Sequence, residues 1–210
     1  MRSFFIWILN QLFPVKCISC QVFGFNLCKN CQDALILDPK WVKRGRLNIF
    51  TLYDYNQPVI QKILHHWKYS HQSWLLSILL KDQLKIYFPK KYSIFYVPMN
   101  KKRKIERGRD HAEELAKEIC LKVDGEMLSG LSRIKNTKQQ AKLDKQERAN
   151  NLKNAFIFRE SCRIKNSILL VDDIVTTGET LLACLKVLEE KSDQEILAFC
   201  LARNELKKQL

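Results

Sequence analysis

The stretch ILLVDDIVTTGET, residues 168–180, decides the fold. Four apolar residues lead into the adjacent carboxylates Asp172 and Asp173, and a loop of threonines with one glycine follows at once. A short apolar run that ends in polar residues is typical of a buried strand. Ligands of open α/β sheets bind beyond the carboxyl ends of such strands. The stretch therefore predicts a strand, a binding loop and the start of a helix.

The two halves of this loop suit different chemical groups. The first amides of a helix are unpaired, and the helix dipole adds positive potential, so that they bind phosphate. Thr176, Thr177 and Thr180 can donate their hydroxyls to the same anion. Gly178 lets the backbone approach closely. The carboxylates accept hydrogen bonds from neighbouring sugar hydroxyls, and the pattern therefore predicts a site for a ribose 5-phosphate unit.

Other classes of site share parts of this pattern. An aspartate pair after a strand also marks response-regulator receivers, but it lies near the start of that domain, whereas fewer than forty residues remain here. A P-loop nucleotide-triphosphatase needs G-x-x-x-x-G-K-[ST], which this sequence with its six glycines lacks. A plain helix N-cap without a ligand would leave both carboxylates and three threonines unexplained.

The rest of the chain alternates predicted strands with predicted helices, which indicates an α/β fold with a parallel sheet covered on both faces. The pattern predicts strands over residues 49–55, 92–99, 126–134, 155–158, 167–173 and 195–202, and helices over 58–69, 73–86, 105–123 and 178–191. We expect two units, residues 1–35 and 48–210, separated by the linker-like stretch ILDPKWVKRGRLN. Residues 135–153 have no apolar stripe and suggest a mobile loop or exposed helix.

Composition indicates a protein with anionic partners. The 210 residues are 46% hydrophobic and 28% charged, and 36 Lys and Arg against 22 Asp and Glu leave a net charge of +14. Such an excess favours nucleic acid or phosphorylated ligands, although a solvated basic surface is an equally good interpretation. The apolar start of the chain is too short to span a bilayer and no signal-peptide cleavage site follows it, so we expect a packed N-terminal helix and a cytoplasmic location.

Four of the eight cysteines are tightly spaced as Cys-x2-Cys-x7-Cys-x2-Cys, at Cys17, Cys20, Cys28 and Cys31. Two such pairs can bind one zinc ion tetrahedrally, and four thiolates leave no open coordination position. The pattern therefore predicts one structural zinc ion per chain rather than a catalytic metal. The other four cysteines stand among apolar residues and are expected to be small buried hydrophobes.

Further motifs accompany the loop. LHHWKY stands in the first long predicted helix, Pro98 ends a predicted strand, and Arg103 and Arg107-Gly108 follow it. LSRIKNTKQQAKLDKQERANNLKNAF, residues 131–156, comes next. With the cysteine cluster and VDDIVTTGET, these motifs cover almost the whole chain. The sequence resembles the ComF family of competence proteins, of the ComFC type, which carries the phosphoribosyl-pyrophosphate (PRPP) motif of type I phosphoribosyltransferases.

The resemblance implies a type I phosphoribosyltransferase-like sheet with flanking helices and a small N-terminal zinc module. It implies that Asp172 and Asp173 bind the ribose hydroxyls of PRPP and that the segment from Asn100 through Arg103 neighbours the pyrophosphate with its magnesium ion. The residues that would bind PRPP are Asp172, Asp173, Val175, Thr176, Thr177, Gly178, Glu179, Thr180, Asn100, Lys101 and Arg103. Residues 135–150 would form a hood that closes over the site.

The resemblance also implies a role in DNA uptake during natural transformation, in which the protein handles single-stranded DNA on the cytoplasmic side of the inner membrane, beside the uptake machinery. The candidate DNA-binding residues are Lys102, Lys104, Arg107, Arg109, Arg133 and Lys135. HHWKYSHQSWLL interleaves aromatic and cationic residues as single-strand binders do, although Trp67 and Trp74 at helical spacing favour a core position.

The sequence departs from the family pattern at one place. A typical member has Pro-Leu-His and then Arg-Gly-Phe/Tyr-Asn-Gln, where this chain has Pro98-Met99-Asn100 and then Arg107-Gly108-Arg109-Asp110-His111. No feature of the sequence names an acceptor base. An active phosphoribosyltransferase that transfers ribose 5-phosphate to a nucleobase or amine therefore remains the alternative to a PRPP-binding competence protein.

Overall fold

The computed structural model describes residues 15–70, 72–80, 84–134, 154–159 and 162–205. The predicted N-terminal helix and the predicted hood lie outside the described residues. The strands are β1 (Lys40–Arg44), β2 (Leu47–Asp54), β3 (Tyr92–Tyr96), β4 (Gly125–Met127), β5 (Leu131–Arg133), β6 (Phe156–Phe158), β7 (Ser167–Val175) and β8 (Ile196–Arg203). The helices are α1 (Lys29–Asp33), α2 (Pro58–Ser70), α3 (Trp74–Leu79), α4 (Leu84–Tyr87), α5 (Lys101–Arg107), α6 (His111–Lys122) and α7 (Glu179–Glu189).

The main sheet has six strands in the order β1-β2-β8-β7-β3-β4. All neighbouring strands are parallel except β1 and β2, which form an antiparallel hairpin at one edge. β5 and β6 form a separate antiparallel pair. The α/β fold class with a parallel-rich sheet is therefore confirmed.

The central strand β7 separates two layers of core. Because side chains alternate along a strand, Leu169 and Val171 face one layer and Ile168 and Leu170 face the other. The first layer contains the buried residues of α2, α3 and α6, among them Trp67, and the buried cysteines of the N-terminal cluster. The second layer contains the buried face of α7 and the β5–β6 pair. The cysteine cluster thus packs on the same core as the sheet, and the division into two units stays a prediction.

Three sequence-based expectations differ from the structure. Residues 40–44 form the edge strand β1 and are not a linker. The helix expected over 105–123 is two helices, because Gly108 ends α5 in the left-handed conformation at φ 69°. The strand expected over 126–134 is β4 and β5, which belong to different sheets and are separated by Gly130 at φ 144°. Short polar breaks of this kind are the weakest part of a periodicity argument.

At its carboxyl end, β7 is paired with a described strand on one side only. β3 pairs with β7 only as far as Val171, whereas β8 accompanies β7 to Val175. Beyond Val171 the chain leaves β3 and leads into α5, and among the described residues no strand pairs with this side of β7. Both carboxylates lie in this half-paired segment, and the strand ends at Val175, two residues beyond its predicted end at Asp173.

None of the described helices has the length and apolar character needed to cross a membrane.

Candidate functional site

A cavity of about 420 Å³ lies beyond the half-paired end of β7. Its walls come from the end of α2, the segment after β3, α5, the start of α6, β5, and the loop between β7 and α7. The lining residues are Lys68, Tyr69, Val97, Pro98, Met99, Arg103, Asp110, His111, Ala112, Arg133 and the continuous run from Asp172 to Leu181. All predicted ribose and phosphate-loop residues, Asp172, Asp173 and the loop from Val175 to Thr180, therefore line one cavity.

The two carboxylates divide between the faces of the sheet. Asp172 continues the face of Leu170, near Cys184 of α7, and Asp173 continues the face of Val171, toward α2. The amide of Asp173 donates to Oδ1 of Asp172 at 2.9 Å. Burial, and then the negative charge of Asp173, raise the pKa of Asp172 to about 8. A ligand that donates hydroxyl hydrogens would satisfy such a carboxyl group.

Asp173 has a cationic partner from α2. Nζ of Lys68 lies 2.5 Å from Oδ2 of Asp173, and their side chains are 18% and 23% exposed. This pair places an ammonium group inside the cavity wall, in the last turn of α2.

The loop from Val175 to Thr180 has the form of an anion site at a helix start. Gly178 is the N-cap of α7 and has φ 82°, a left-handed conformation that favours glycine. The stem of Arg44 covers it, so that a Cβ on Gly178 would lie 2.9 Å from Cγ of Arg44. Nε of Arg44 also donates to the carbonyl of Thr176 at 3.4 Å. The β1–β2 hairpin therefore holds the loop from outside, and the first turn of α7 lines the cavity.

Two arginines face the carboxylates from other elements. Arg103 of α5 and Arg133 of β5 both line the cavity. Burial, and then the like charge of Arg103, lower the pKa of Arg133. The negative charge of Asp172 raises it. Two guanidinium groups that repel one another across a cavity form a site for an anion of high charge.

The four cysteines of the N-terminal cluster converge on one point. Their sulfur atoms all lie within 4.8 Å of one another, and Sγ of Cys20 is 3.5 Å from Sγ of Cys28. None of the eight cysteines forms a disulfide, and all eight lie in the described part of the chain. Cys17, Cys28 and Cys31 are buried, so the cluster can hold a metal ion away from solvent. This donor set and spacing fit the tetrahedral thiolate site of zinc.

Comparison with known proteins agrees with this geometry. The phosphoribosyl transferase domain family matches residues 106–209. Competence protein F of Haemophilus influenzae is 30% identical over 193 residues, which are 83% of this chain and 79% of that protein. The chain belongs to the ComF family. Competence protein ComFC of Streptococcus pneumoniae is 26% identical, with 84% of this chain and 76% of that protein covered. The DNA utilization protein YhgH of Escherichia coli K12 is 26% identical, with shares of 82% and 77%.

The ComF resemblance drawn from the motifs is thus confirmed. The segment after β3 contains several of the predicted site residues. Arg103 lines the cavity. Asn100 is buried, and its side chain accepts from the amide of Lys102 at 2.9 Å, so that it caps α5. The side chains of Lys101 and Arg107, and the whole of Lys135, lie outside the described part of the chain. Lys102 is exposed, and Lys104 pairs with Glu113 at 3.0 Å.

Two candidate DNA-binding residues of this ComF-family chain lie elsewhere than expected. Arg109 is only 15% exposed and binds Glu114 at 2.9 Å, and it also donates to the carbonyl of Trp67. It therefore holds α2 against α6, and most of its side chain is withdrawn from solvent. Arg133 lies in the cavity wall and not on an outer surface. Sequence alone cannot separate these arginines from exposed ones, because their burial depends on other elements of the fold, such as α2 with the carbonyl of Trp67.

Trp67 belongs to the core, as its helical spacing favoured. It is buried, and its indole Nε1 donates to Glu114 at 2.9 Å. Trp74 is 37% exposed. Lys68 and Arg44 are the site residues that sequence reasoning missed. LHHWKY was singled out as a family motif, and that was the one available signal for Lys68.

Gly178→Ala should lower the free energy of unfolding by about 1–2 kcal/mol, because the left-handed conformation costs a residue with a Cβ this much and the new methyl meets the stem of Arg44. Urea unfolding measures the change. Gly24→Ala is a matched control, since Gly24 has φ 94° but open space around it. The loss at Gly178 should exceed that at Gly24, and Arg44→Ala should remove the excess. A folded Gly178→Ala variant as stable as the parent would contradict this account of the loop.

Proposed function

We propose that this chain binds PRPP, with magnesium, in the cavity at the end of β7. One observation carries the proposal: a carboxylate pair, an amide-rich loop at a helix start and two arginines surround a single cavity. PRPP carries two neighbouring ribose hydroxyls between a 5-phosphate and a pyrophosphate. The 5-phosphate matches the amide-rich loop, the ribose hydroxyls match the carboxylate pair, and the pyrophosphate matches the two arginines.

The chemistry assigns a role to each wall. Residues 175–180 bind the 5-phosphate through backbone amides and threonine hydroxyls. Asp172 and Asp173 accept hydrogen bonds from the ribose hydroxyls. Arg103 and Arg133 bind the pyrophosphate, and the magnesium ion reduces its remaining charge. Arg133 thus moves from the predicted DNA-binding set to the PRPP set. Asn100 supports this region by capping α5 with its side-chain oxygen.

We further propose that the protein acts in DNA uptake and binds single-stranded DNA on the cytoplasmic side of the inner membrane, at most peripherally attached to it. The names of its relatives, competence protein F, ComFC and DNA utilization protein, support this role. The net charge of +14 supports a polyanionic partner. Among the described candidates, Lys102 and Lys104 of α5 keep exposed side chains next to the PRPP cavity.

An active phosphoribosyltransferase is the second candidate, and the match of residues 106–209 to the phosphoribosyl transferase domain favours it. In that reaction the bond from the anomeric carbon to pyrophosphate breaks, a bond to an acceptor nitrogen forms, and the acceptor loses a proton. Steady-state release of pyrophosphate, measured with a panel of bases and amines, separates the two candidates. Rapid release that depends on one acceptor supports the enzyme.

Replacement of both Asp172 and Asp173 by Asn should weaken PRPP binding by about two orders of magnitude or more, because each lost charge-assisted hydrogen bond costs about 1.5–3 kcal/mol. Calorimetric titration with PRPP and magnesium measures the affinity. Asp193→Asn, an exposed change in the turn before β8, is the control and should bind as the parent does. Unchanged affinity in a folded double variant would refute the ribose assignment.

The four-cysteine cluster should carry one structural zinc ion per chain. Elemental analysis of protein purified in reducing buffer measures the content. Cys20→Ser should lose the metal and lower the melting temperature, because binding of the metal contributes to folding. Cys162→Ser, outside the cluster, should keep it. A zinc content below about a tenth of one ion per chain would overturn the assignment, since a thiolate site of four ligands retains zinc tightly.

Single-stranded DNA binding should be strongly salt-dependent and poorly selective for sequence. Each neutralised phosphate contributes about −0.7 to the slope of log K against log salt, so five or six contacts give a slope near −4. Lys102→Gln with Lys104→Gln should reduce the slope by about 1.4. Lys85→Gln with Lys91→Gln is the matched control, because these exposed lysines precede β3, at the opposite end of the sheet. A slope near zero for the parent would rule out an electrostatic DNA surface.

A further inference from the structure

The last turn of α2 reaches the PRPP cavity through one lysine. Lys68 lines the cavity, and its ammonium nitrogen lies 2.5 Å from Oδ2 of Asp173. Its side chain is 18% exposed, so most of its length is packed and only its charged end faces the cavity. The neighbouring Trp67 is buried in the core and anchors this turn.

The position of this turn is fixed by the start of α6. Nε2 of His111 donates to the carbonyl of Lys68 at 2.8 Å, and Arg109 donates to the carbonyl of Trp67. The last carbonyls of a helix lack partners within it, and cationic or N–H donors at this end satisfy them and complement the helix dipole. Lys68 is therefore held at two places, by its backbone carbonyl and by its ammonium group. These contacts keep its side chain at the cavity.

The ammonium group of Lys68 carries more N–H donors than its ion pair with Asp173 needs. A lysine carries three N–H donors, and the contact with Asp173 uses one direction. Asp173 also has lone pairs left for ribose hydroxyls, because a carboxylate accepts up to about four hydrogen bonds. The ammonium group can thus keep Asp173 while it donates to a second anion in the same cavity.

We propose that Lys68 is a further PRPP-binding residue, which bridges Asp173 and the pyrophosphate of the bound ligand. The inference rests on the proposed function. Lys68 completes a ring of three cations around the cavity with Arg103 and Arg133, each from a different element. It also shields the pyrophosphate from the negative charge of Asp173, which would otherwise repel it.

A simpler role would be neutralisation of Asp173 alone. The two roles differ in what they require of the ligand. A counter-ion of Asp173 affects any ligand that uses the ribose carboxylates, whereas a pyrophosphate contact affects only ligands that carry that group. Ribose 5-phosphate has the sugar hydroxyls and the 5-phosphate of PRPP but lacks the pyrophosphate, and so it separates these roles.

The experiment titrates Lys68→Met with PRPP and magnesium and, separately, with ribose 5-phosphate, by calorimetry. We expect the affinity for PRPP to fall about 10- to 100-fold, the worth of one charge-assisted hydrogen bond, and that for ribose 5-phosphate to change by less than about threefold. Lys68→Arg keeps the charge and should recover part of the PRPP affinity. Lys85→Met, an exposed lysine outside the cavity, is the control for the loss of one charge.

An equal loss for both ligands, or no loss for either, would overturn the pyrophosphate contact of Lys68 while leaving PRPP binding intact. If the unchanged chain binds neither ligand, both this inference and the proposed function fail. Far-ultraviolet circular dichroism and thermal unfolding of the three variants exclude misfolding, and Lys68→Arg carries the test if Lys68→Met does not fold.

Discussion

Two adjacent carboxylates on a central strand set the main constraint on this structure. Because neighbouring side chains of a strand point to opposite faces, Asp172 and Asp173 face different layers and meet different elements. Lys68 of α2 forms an ion pair with Asp173, and Arg133 of β5 interacts electrostatically with Asp172. The carboxyl groups at the end of β7 therefore bring together elements from both layers, and these elements meet at the cavity.

The phosphate loop depends on a second element, the β1–β2 hairpin. The hairpin covers the edge of the sheet, and its Arg44 lies against Gly178 and Thr176. Glycine meets two demands at position 178, a positive φ and space for the arginine stem. The stretch that sequence composition assigned to a linker thus helps to shape the site. An edge strand and an anion loop, distant in sequence, stabilise one another.

The parts of the fold that were predicted from sequence are those with a strong local signal. The apolar run before Asp172, the helix after Gly178 and the cysteine spacing each concern neighbours in the chain, and periodicity suffices for them. The break at Gly108 is local, but the helical pattern continues across it, and periodicity alone does not show that one helix ends there. The burial of Arg109 and Arg133 depends on other elements of the fold, such as the carbonyl of Trp67 to which Arg109 donates. Charge alone therefore does not separate these two arginines from exposed ones.

The departure from the ComF pattern at residues 109–111 has a structural explanation. Arg109 pairs with Glu114, Oδ2 of Asp110 accepts from the amide of Met99 at 2.8 Å, and His111 donates to the carbonyl of Lys68. These three contacts join the start of α6 to the segment after β3 and to the end of α2. An aromatic residue and two amides would have to make these connections by packing and neutral hydrogen bonds. This chain makes one of them with the ion pair of Arg109 and Glu114, and charge-assisted hydrogen bonds are stronger than neutral ones. The start of α6 therefore holds one wall of the cavity in place through three different kinds of contact.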